Sequence, residues 1–255
     1  MTLAKTLFNL TSEQRKKEIL NSAFITETDD DLGQSRKLAA VINSFINDYF
    51  KLAIEKDKTQ VNGSVLQLNN LRESVSEEIS KFRPLAIKAL RKSTDSRDII
   101  VANPENVYQL AGAVKLSAAN KATRNLSTTM GLLWERIANI SPYAINPERE
   151  FKIKIKGVDL ICQNMETENI EYQQLKTQKN TLTGSQKGRS VAELSLHENP
   201  VFCACFSLGT WTFSHPEIPR IAGKEFWSRI GIDYEIFEAA AKDLMLDLEQ
   251  IFVGL

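Results

Sequence analysis

The chain has 255 residues, 42% hydrophobic and 25% charged, and its formal net charge is zero because 32 basic side chains balance 32 acidic ones. This composition is typical of a soluble globular protein, and the length allows one large domain or two small ones. No segment approaches the roughly twenty apolar residues of a membrane span, so we expect no membrane partner. A net charge of zero does not exclude a local cationic surface that could bind nucleic acid.

The cysteine content indicates a reducing compartment. There are three cysteines, Cys162, Cys203 and Cys205. An odd number without a CxxC pair gives neither a disulfide framework nor a zinc signature. We therefore expect them to be reduced, small apolar side chains in a sheet. The first twenty residues contain no apolar run of signal-peptide length, and we predict a cytoplasmic protein.

The first 140 residues are predicted to be almost entirely helical. Thr11 or Ser12 is the candidate N-cap of the first helix, and Pro84 is expected to end or kink a later one. Breaks are predicted at 29–33 and 94–98, with a new helix starting at 103–105. Apolar residues at helical spacing predict helices over residues 12–24, 34–56, 64–92, 105–121 and 125–140.

The strands are predicted between residues 151 and 213. Alternating patterns indicate strands over 153–162 and 170–178, joined by a turn at 164–169. A third strand is predicted over 201–213, with a bend at Gly209. Two helices follow, over residues 223–232 and 234–252, the second capped by Asp233.

The first two strands bring together residues that suit a metal-dependent reaction. Gln174 and Lys176 are two apart on one strand and therefore share a face, whereas Glu171 points the other way. If the strands pair as a hairpin, Asp159 lies beside them. A carboxylate and an amide oxygen can hold a hard cation such as Mg²⁺. A neighbouring lysine can orient or deprotonate a water molecule and offset phosphate charge.

This arrangement resembles the PD-(D/E)XK nuclease superfamily, and its surroundings are most similar to a type II restriction endonuclease. Asp159 falls on the first acidic position of the motif, Gln174 on the second and Lys176 on the lysine. The motif thus has the form D…QxK, with one fewer negative charge, and Val158 replaces the usual proline. The glutamate that the family often carries on an upstream helix corresponds to Glu135. The resemblance covers residues 125–215.

The resemblance implies an α/β fold with a restriction-endonuclease-like core, in which helices flank a short central mixed sheet. It implies Mg²⁺ held by Asp159, Gln174 and Glu135, and Lys176 as a further catalytic residue. Residues 121–255 would form the nuclease core. Residues 1–120 would form a mainly helical region that serves as a wall of a DNA cleft or as a dimer interface.

A polar, cationic loop is predicted directly after the catalytic strand. From Lys176 to Ser190 the chain has four cations and no acidic residue. Cations and hydroxyl groups suit phosphate contacts, and amide, arginine and lysine side chains suit base edges. The candidate DNA-binding residues are Lys179, Asn180, Thr181, Thr183, Ser185, Gln186, Lys187, Arg189 and Ser190.

The resulting hypothesis is a Mg²⁺-dependent restriction endonuclease that leaves 5′-phosphates on double-stranded DNA. Cleavage at a symmetric site would imply a homodimer. A repair or junction nuclease of the same superfamily is one alternative, and a helical DNA-binding protein without catalysis is another. Each key residue also has a simpler interpretation: Asp159 as a strand-end or ion-paired acid, Lys176 as a solvated lysine, Glu135 as a surface acid.

Overall fold

A computed structural model describes residues 2–60, 68–94, 104 and 106–254 of the chain. These residues form an α/β fold around one open, mixed sheet of five strands in the order β1-β2-β3-β4-β5. The α/β class predicted from the sequence is therefore confirmed. The strands are β1 (Ala144–Ile145), β2 (Leu160–Gln163), β3 (Ile170–Gln178), β4 (Pro200–Phe206) and β5 (Arg220–Ala222).

The sheet combines an antiparallel half with a parallel half. β1 pairs antiparallel with β2, and β2 pairs antiparallel with β3. β3 and β4 are parallel, and so are β4 and β5. A parallel pair needs a crossover connection, and α9 (Gly184–Leu194) supplies the one between β3 and β4.

The helices before the sheet account for most of the first 138 residues. α2 begins as predicted, because Thr11 is its N-cap and forms a capping box with Gln14. The helices are α1 (Leu3–Phe8), α2 (Ser12–Ala23), α3 (Asp31–Asn43), α4 (Ile46–Gln60), α5 (Leu68–Thr94), α6 (Val107–Leu110) and α7 (Val114–Ala138). The later ones are α8 (Pro147–Glu150), α10 (Lys224–Arg229) and α11 (Tyr234–Val253). Asp233 caps α11 as predicted, since its carboxylate accepts hydrogen bonds from two backbone N–H groups.

Helices cover both faces of the sheet. One core contains residues of α5, α7, α10 and α11 packed against sheet residues such as Leu160, Leu175 and Cys203. A second core contains residues of α1 to α4 packed against Ile161 and Tyr172, which point to the other face. A smaller cluster joins α9 to that second face through Leu194 and Phe202. All three cysteines are free and buried.

Two strand predictions need correction. The predicted strand over 153–162 is β2 alone, because β1 offers partners only for Ile161 and Cys162. Ile153 and Ile155 are buried and Lys154 is exposed, so the alternation comes from packing on the second core without a strand ladder. The predicted third strand ends at Phe206, and the chain re-enters the sheet only as β5. β1 and β5 are too short to show a periodic pattern.

Helix boundaries also differ from the prediction. The helix predicted over 34–56 is two helices, which break around Ser44 and Phe45. Pro84 lies inside α5 and does not end it. The carbonyl that Pro84 leaves without an N–H partner belongs to Ser80, which is exposed and therefore open to water. The predicted helices over 105–121 and 125–140 are mostly one helix, α7.

Several sequence predictions fall on residues outside the described part. The start of the helix predicted at 64, the break at 94–98 and the helix start at 103–105 lie wholly or mostly there. Within the described ranges, none of the helices combines the length and the apolar character needed to cross a bilayer. The division into regions 1–120 and 121–255 stays a prediction, although helices from the first region contribute to both large cores.

Candidate functional site

A cavity of about 320 Å³ opens at the end of the antiparallel half of the sheet. Its wall comes from α7, α8, the segment 153–159, β3 and α9. The ionisable and amide side chains around it are Glu135, Asn146, Glu148, Lys154, Lys156, Asp159, Gln174, Arg189 and Glu193. Three of the four residues predicted to be catalytic therefore line one cavity.

Asp159 is fixed by the backbone of β3. Its N–H donates to the carbonyl of Gln173 at 2.9 Å, and its Oδ2 accepts from the N–H of Leu175 at 2.8 Å. The β2–β3 register, continued by one residue from the Leu160–Gln173 pair, places Asp159 opposite Gln174. Burial raises the pKa of Asp159, against the lowering effects of Lys176 and of the Leu175 N–H.

Gln174 has unusual surroundings for an amide side chain. It is 7% exposed, and its side-chain Oε1 is buried without a hydrogen-bond partner. A buried amide oxygen without a partner costs free energy, so such atoms are rare in folded proteins. Gln174 lines the same cavity as Asp159.

Lys176 lies two residues further along β3, on the sheet face that carries Gln174. Its charge lowers the pKa of both Asp159 and Glu135, which places the ammonium close enough to act on both carboxylates. The side chain is partly exposed and forms no salt bridge within the described residues. Lys176 does not line the cavity itself, but its charge acts on two carboxylates that do.

Glu135 reaches the cavity from α7. Its Oε2 accepts a hydrogen bond of 2.8 Å from Nδ2 of Asn146, a buried residue that also caps α8. Burial, with a smaller contribution from the charge of Asp159, raises the pKa of Glu135 to about 7, and the charge of Lys176 opposes the rise. Asn146 thus positions Glu135, a role that no sequence pattern indicated.

Glu193 is the second residue that the sequence analysis missed. It lies on α9, is 7% exposed and lines the same cavity. Its Oε1 accepts from Nε of Arg189 at 2.8 Å, and its charge raises the pKa of Asp159. In the sequence, a glutamate four residues after an arginine is typical of an exposed helical ion pair. The burial of Glu193 becomes visible only once α9 is placed against β3.

Two side chains of the cavity, Asp159 and Gln174, are candidate ligands for a divalent cation. Among the described residues, no three His, Cys, Asp or Glu side chains converge on one point that could hold a metal ion. The unpartnered amide oxygen of Gln174 beside the Asp159 carboxylate nevertheless fits a hard cation. Mg²⁺ commonly takes only one or two protein oxygens and keeps several water molecules. Asp159 and Gln174 are the residues that would hold it.

The predicted DNA-binding loop proves to be a short turn followed by α9. The prediction was wrong because two glycines and many polar residues suggested a loop. Thr183 instead caps the helix, and Gln186 accepts a 3.1 Å hydrogen bond from the Thr183 N–H. Val191 and Leu194 contribute its apolar contacts with the third cluster.

The nine candidate DNA-binding residues fall into two groups. Lys179, Asn180 and Thr181 lie in or beside the turn, where the hydroxyl of Thr181 donates to the carbonyl of Gln178 at 2.7 Å. Ser190 is 5% exposed and faces the interior. The members of α9 or its cap that are at least partly exposed are Thr183, Ser185, Gln186, Lys187 and Arg189.

Comparison of the chain with family models, with curated proteins and with solved structures finds no match. The functional argument therefore depends on the geometry of the cavity and on the residues around it.

Proposed function

We propose that the chain is a Mg²⁺-dependent endonuclease that hydrolyses phosphodiester bonds of double-stranded DNA, in the manner of a type II restriction enzyme. The observation that carries this proposal is the buried, unpartnered Oε1 of Gln174 beside Asp159, two residues before Lys176. The short mixed sheet flanked by helices agrees with the core that the resemblance to the PD-(D/E)XK superfamily implies.

The residues of the cavity have complementary roles in this reaction. Mg²⁺, when bound by Asp159 and Gln174, supplies charge neutralisation at the phosphate and a more acidic water. The Lys176 ammonium orients the attacking water and stabilises the negative charge that develops on the phosphate oxygens. The water oxygen bonds to phosphorus as the bond to the 3′ oxygen breaks, and the products are a 5′-phosphate and a 3′-hydroxyl.

The exposed side of the turn and α9 is the proposed DNA contact. Lys179, Lys187 and Arg189 supply cations there, and Ser185 supplies a hydroxyl group, which are the groups that bind phosphates. The N-terminus of α9, which Thr183 caps, lies next to them and adds the positive end of the helix dipole. A homodimer on a symmetric site is part of the proposal, because protein symmetry mirrors the symmetry of the DNA.

The test is single-turnover cleavage of a plasmid or cognate duplex by Lys176→Ala, beside a DNA-binding titration in Ca²⁺. Loss of a group that stabilises the transition state is expected to slow cleavage about 10²-fold or more while binding is retained. Lys224→Ala, which removes an exposed lysine at the start of α10, is the matched control. Near-normal cleavage by Lys176→Ala would contradict the proposal.

The alternatives give different results in the same experiment. Metal-dependent cleavage without sequence preference would favour a repair or junction nuclease. Metal-independent DNA binding by the native protein, with no cleavage under any condition, would favour a non-catalytic DNA-binding protein. Sequencing of the plasmid ends would give the recognition site and the stagger if the main proposal holds.

A further inference from the structure

The proposed cation site has too little negative charge when only its two strand residues are counted. Asp159 contributes one carboxylate, and Gln174 contributes a neutral oxygen. Mg²⁺ sites usually rely on carboxylates, because a hard dication gains most from anionic oxygen ligands. A further anionic group near Gln174 would compensate for the amide.

Glu193 is placed to provide that group. It comes from α9, whose side chains close the cavity over Asp159 and Gln174. The contact is close: a Cβ at Gly157 would lie 2.5 Å from Cβ of Glu193 and 3.3 Å from its Oε2. Glu193 is thus pressed against the backbone two residues before Asp159, and only a glycine with a positive φ of 73° fits there.

The two oxygens of Glu193 have different surroundings. Oε1 accepts from Arg189, whose side chain is 72% exposed. Oε2 accepts no hydrogen bond in the described part of the chain and lies along Gly157. Arg189 is therefore paired with Oε1 alone. Oε2 of the same buried carboxylate has no such partner and could bind a cation.

We propose that Glu193 supplies the second carboxylate of the cation site, in place of the charge that Gln174 lacks, and that Arg189 is its counter-ion until the cation binds. This inference depends on the proposed function, since it assumes a cation at Asp159 and Gln174. It makes α9 part of the active site, and Arg189 then has two alternative partners, Glu193 and a DNA phosphate.

The experiment measures Mn²⁺ binding to the full-length protein without DNA, by the electron paramagnetic resonance signal of free Mn²⁺. Glu193→Gln is expected to weaken binding about tenfold or more, because an anionic ligand near a dication is lost. The double variant Glu193→Gln with Gln174→Glu restores the charge count and should recover most of the affinity. Arg189→Gln should strengthen binding several-fold. Glu198→Gln, an exposed acid outside the cavity, is the matched control.

The results separate a failure of this inference from a failure of the proposed function. If Asp159→Asn abolishes Mn²⁺ binding but Glu193→Gln behaves as Glu198→Gln does, this inference fails and the proposed function stands. If Asp159→Asn also binds normally, the cation site itself is wrongly placed. A double variant that recovers nothing would show that Glu193 acts through structure and not charge. Should Glu193→Gln fail to fold by circular dichroism, unchanged affinity in Arg189→Gln would overturn the inference.

Discussion

At the scale of single residues, four acidic and three basic side chains share the wall of one cavity. Asp159, Glu135 and Glu193 line it, and only Glu193 has a salt-bridge partner within the described residues. Burial is the main cause that raises the pKa of both Asp159 and Glu135; the charge of Glu193 adds to the rise at Asp159, and the charge of Asp159 adds to the rise at Glu135. Neighbouring carboxylates with raised pKa values are typical of functional sites, which agrees with the cation site proposed here.

The raised pKa of Glu135 makes the stability of the folded protein depend on pH. This pKa is about 7 in the folded chain and near 4.5 when unfolded, so the folded state binds the proton more tightly. Folding stability is therefore lost as the pH rises from about 4.5 to about 7, and the loss is complete above that range. Glu135→Gln removes the charge and should stabilise the metal-free protein at pH 8 by about 1–3 kcal/mol.

The measurement is urea unfolding of both proteins at pH 4 and at pH 8. At pH 4 both states carry a protonated Glu135, so the difference between variant and native protein should be small. Glu148→Gln, which changes an exposed acid on the same cavity, should show little gain at either pH. An equal gain for Glu135→Gln at both pH values would show that burial does not perturb this carboxylate.

The sequence indicated the strand residues of this site better than the helix residues. Asp159, Gln174 and Lys176 depend on alternation within strands, which is a local property. Asn146 and Glu193 act only because α8 and α9 pack against the same strands. That packing is a long-range property, and the residue types alone are common on solvated helix surfaces.

At the scale of elements, the polar, glycine-containing composition around α9 predicted a loop where the structure has a helix. Gly184 and Gly188 favour a loop by propensity, but the Thr183 cap and the apolar contacts of Leu194 outweigh them. The reverse happened at 153–158, where alternation predicted a strand that has no partner to pair with. In both cases tertiary contacts decided the structure, whereas the long helices α2, α5 and α11 followed their own periodicity.

The helical state of α9 can be tested at Gly188. A Cβ there would meet no atom within 4 Å, and its φ is not positive. Gly188→Ala should therefore stabilise the protein by about 0.5–1 kcal/mol through helix propensity and a less flexible unfolded chain. The free energy of unfolding in urea measures the change.

The control is Gly157→Ala, at a position outside α9 that packs against Glu193 of this helix. It introduces a side chain at a positive φ, against Cβ of Glu193, and should destabilise the protein. A neutral or destabilising result for Gly188→Ala would contradict a helix at this position. It would favour the loop that the sequence predicted.

At the scale of the whole molecule, the described residues among the first 94 pack against the sheet from both sides. α1 to α4 cover one face, and α5 packs with α7 and α11 over the other. Glu150, on α8, accepts hydrogen bonds from both Tyr49 and Arg15, which ties α4 and α2 to the segment that leads into β2. Among the described residues before 120, both buried clusters therefore include residues of the sheet.

A fragment of residues 121–255 is expected not to fold by itself. Without α5 the core loses four fully buried large side chains, Leu71, Val75, Phe82 and Leu90. Each contributes about 1.5–3 kcal/mol when buried, so the four together contribute about 6–12 kcal/mol. Since a whole domain is stable by only about 5–15 kcal/mol, the fragment should not fold by itself. Circular dichroism and proton NMR dispersion would show this directly.

Co-expression of residues 1–120 with residues 121–255 is the matched experiment. Because the two pieces share both large cores, they should assemble into a folded complex that elutes as one species and regains the native spectrum. The cavity residues all belong to the second piece, so recovery of Mn²⁺ binding in the complex, and not in the isolated fragment, would show that the helices hold the site in shape. A fragment 121–255 that folds and binds the cation alone would instead establish it as an independent domain.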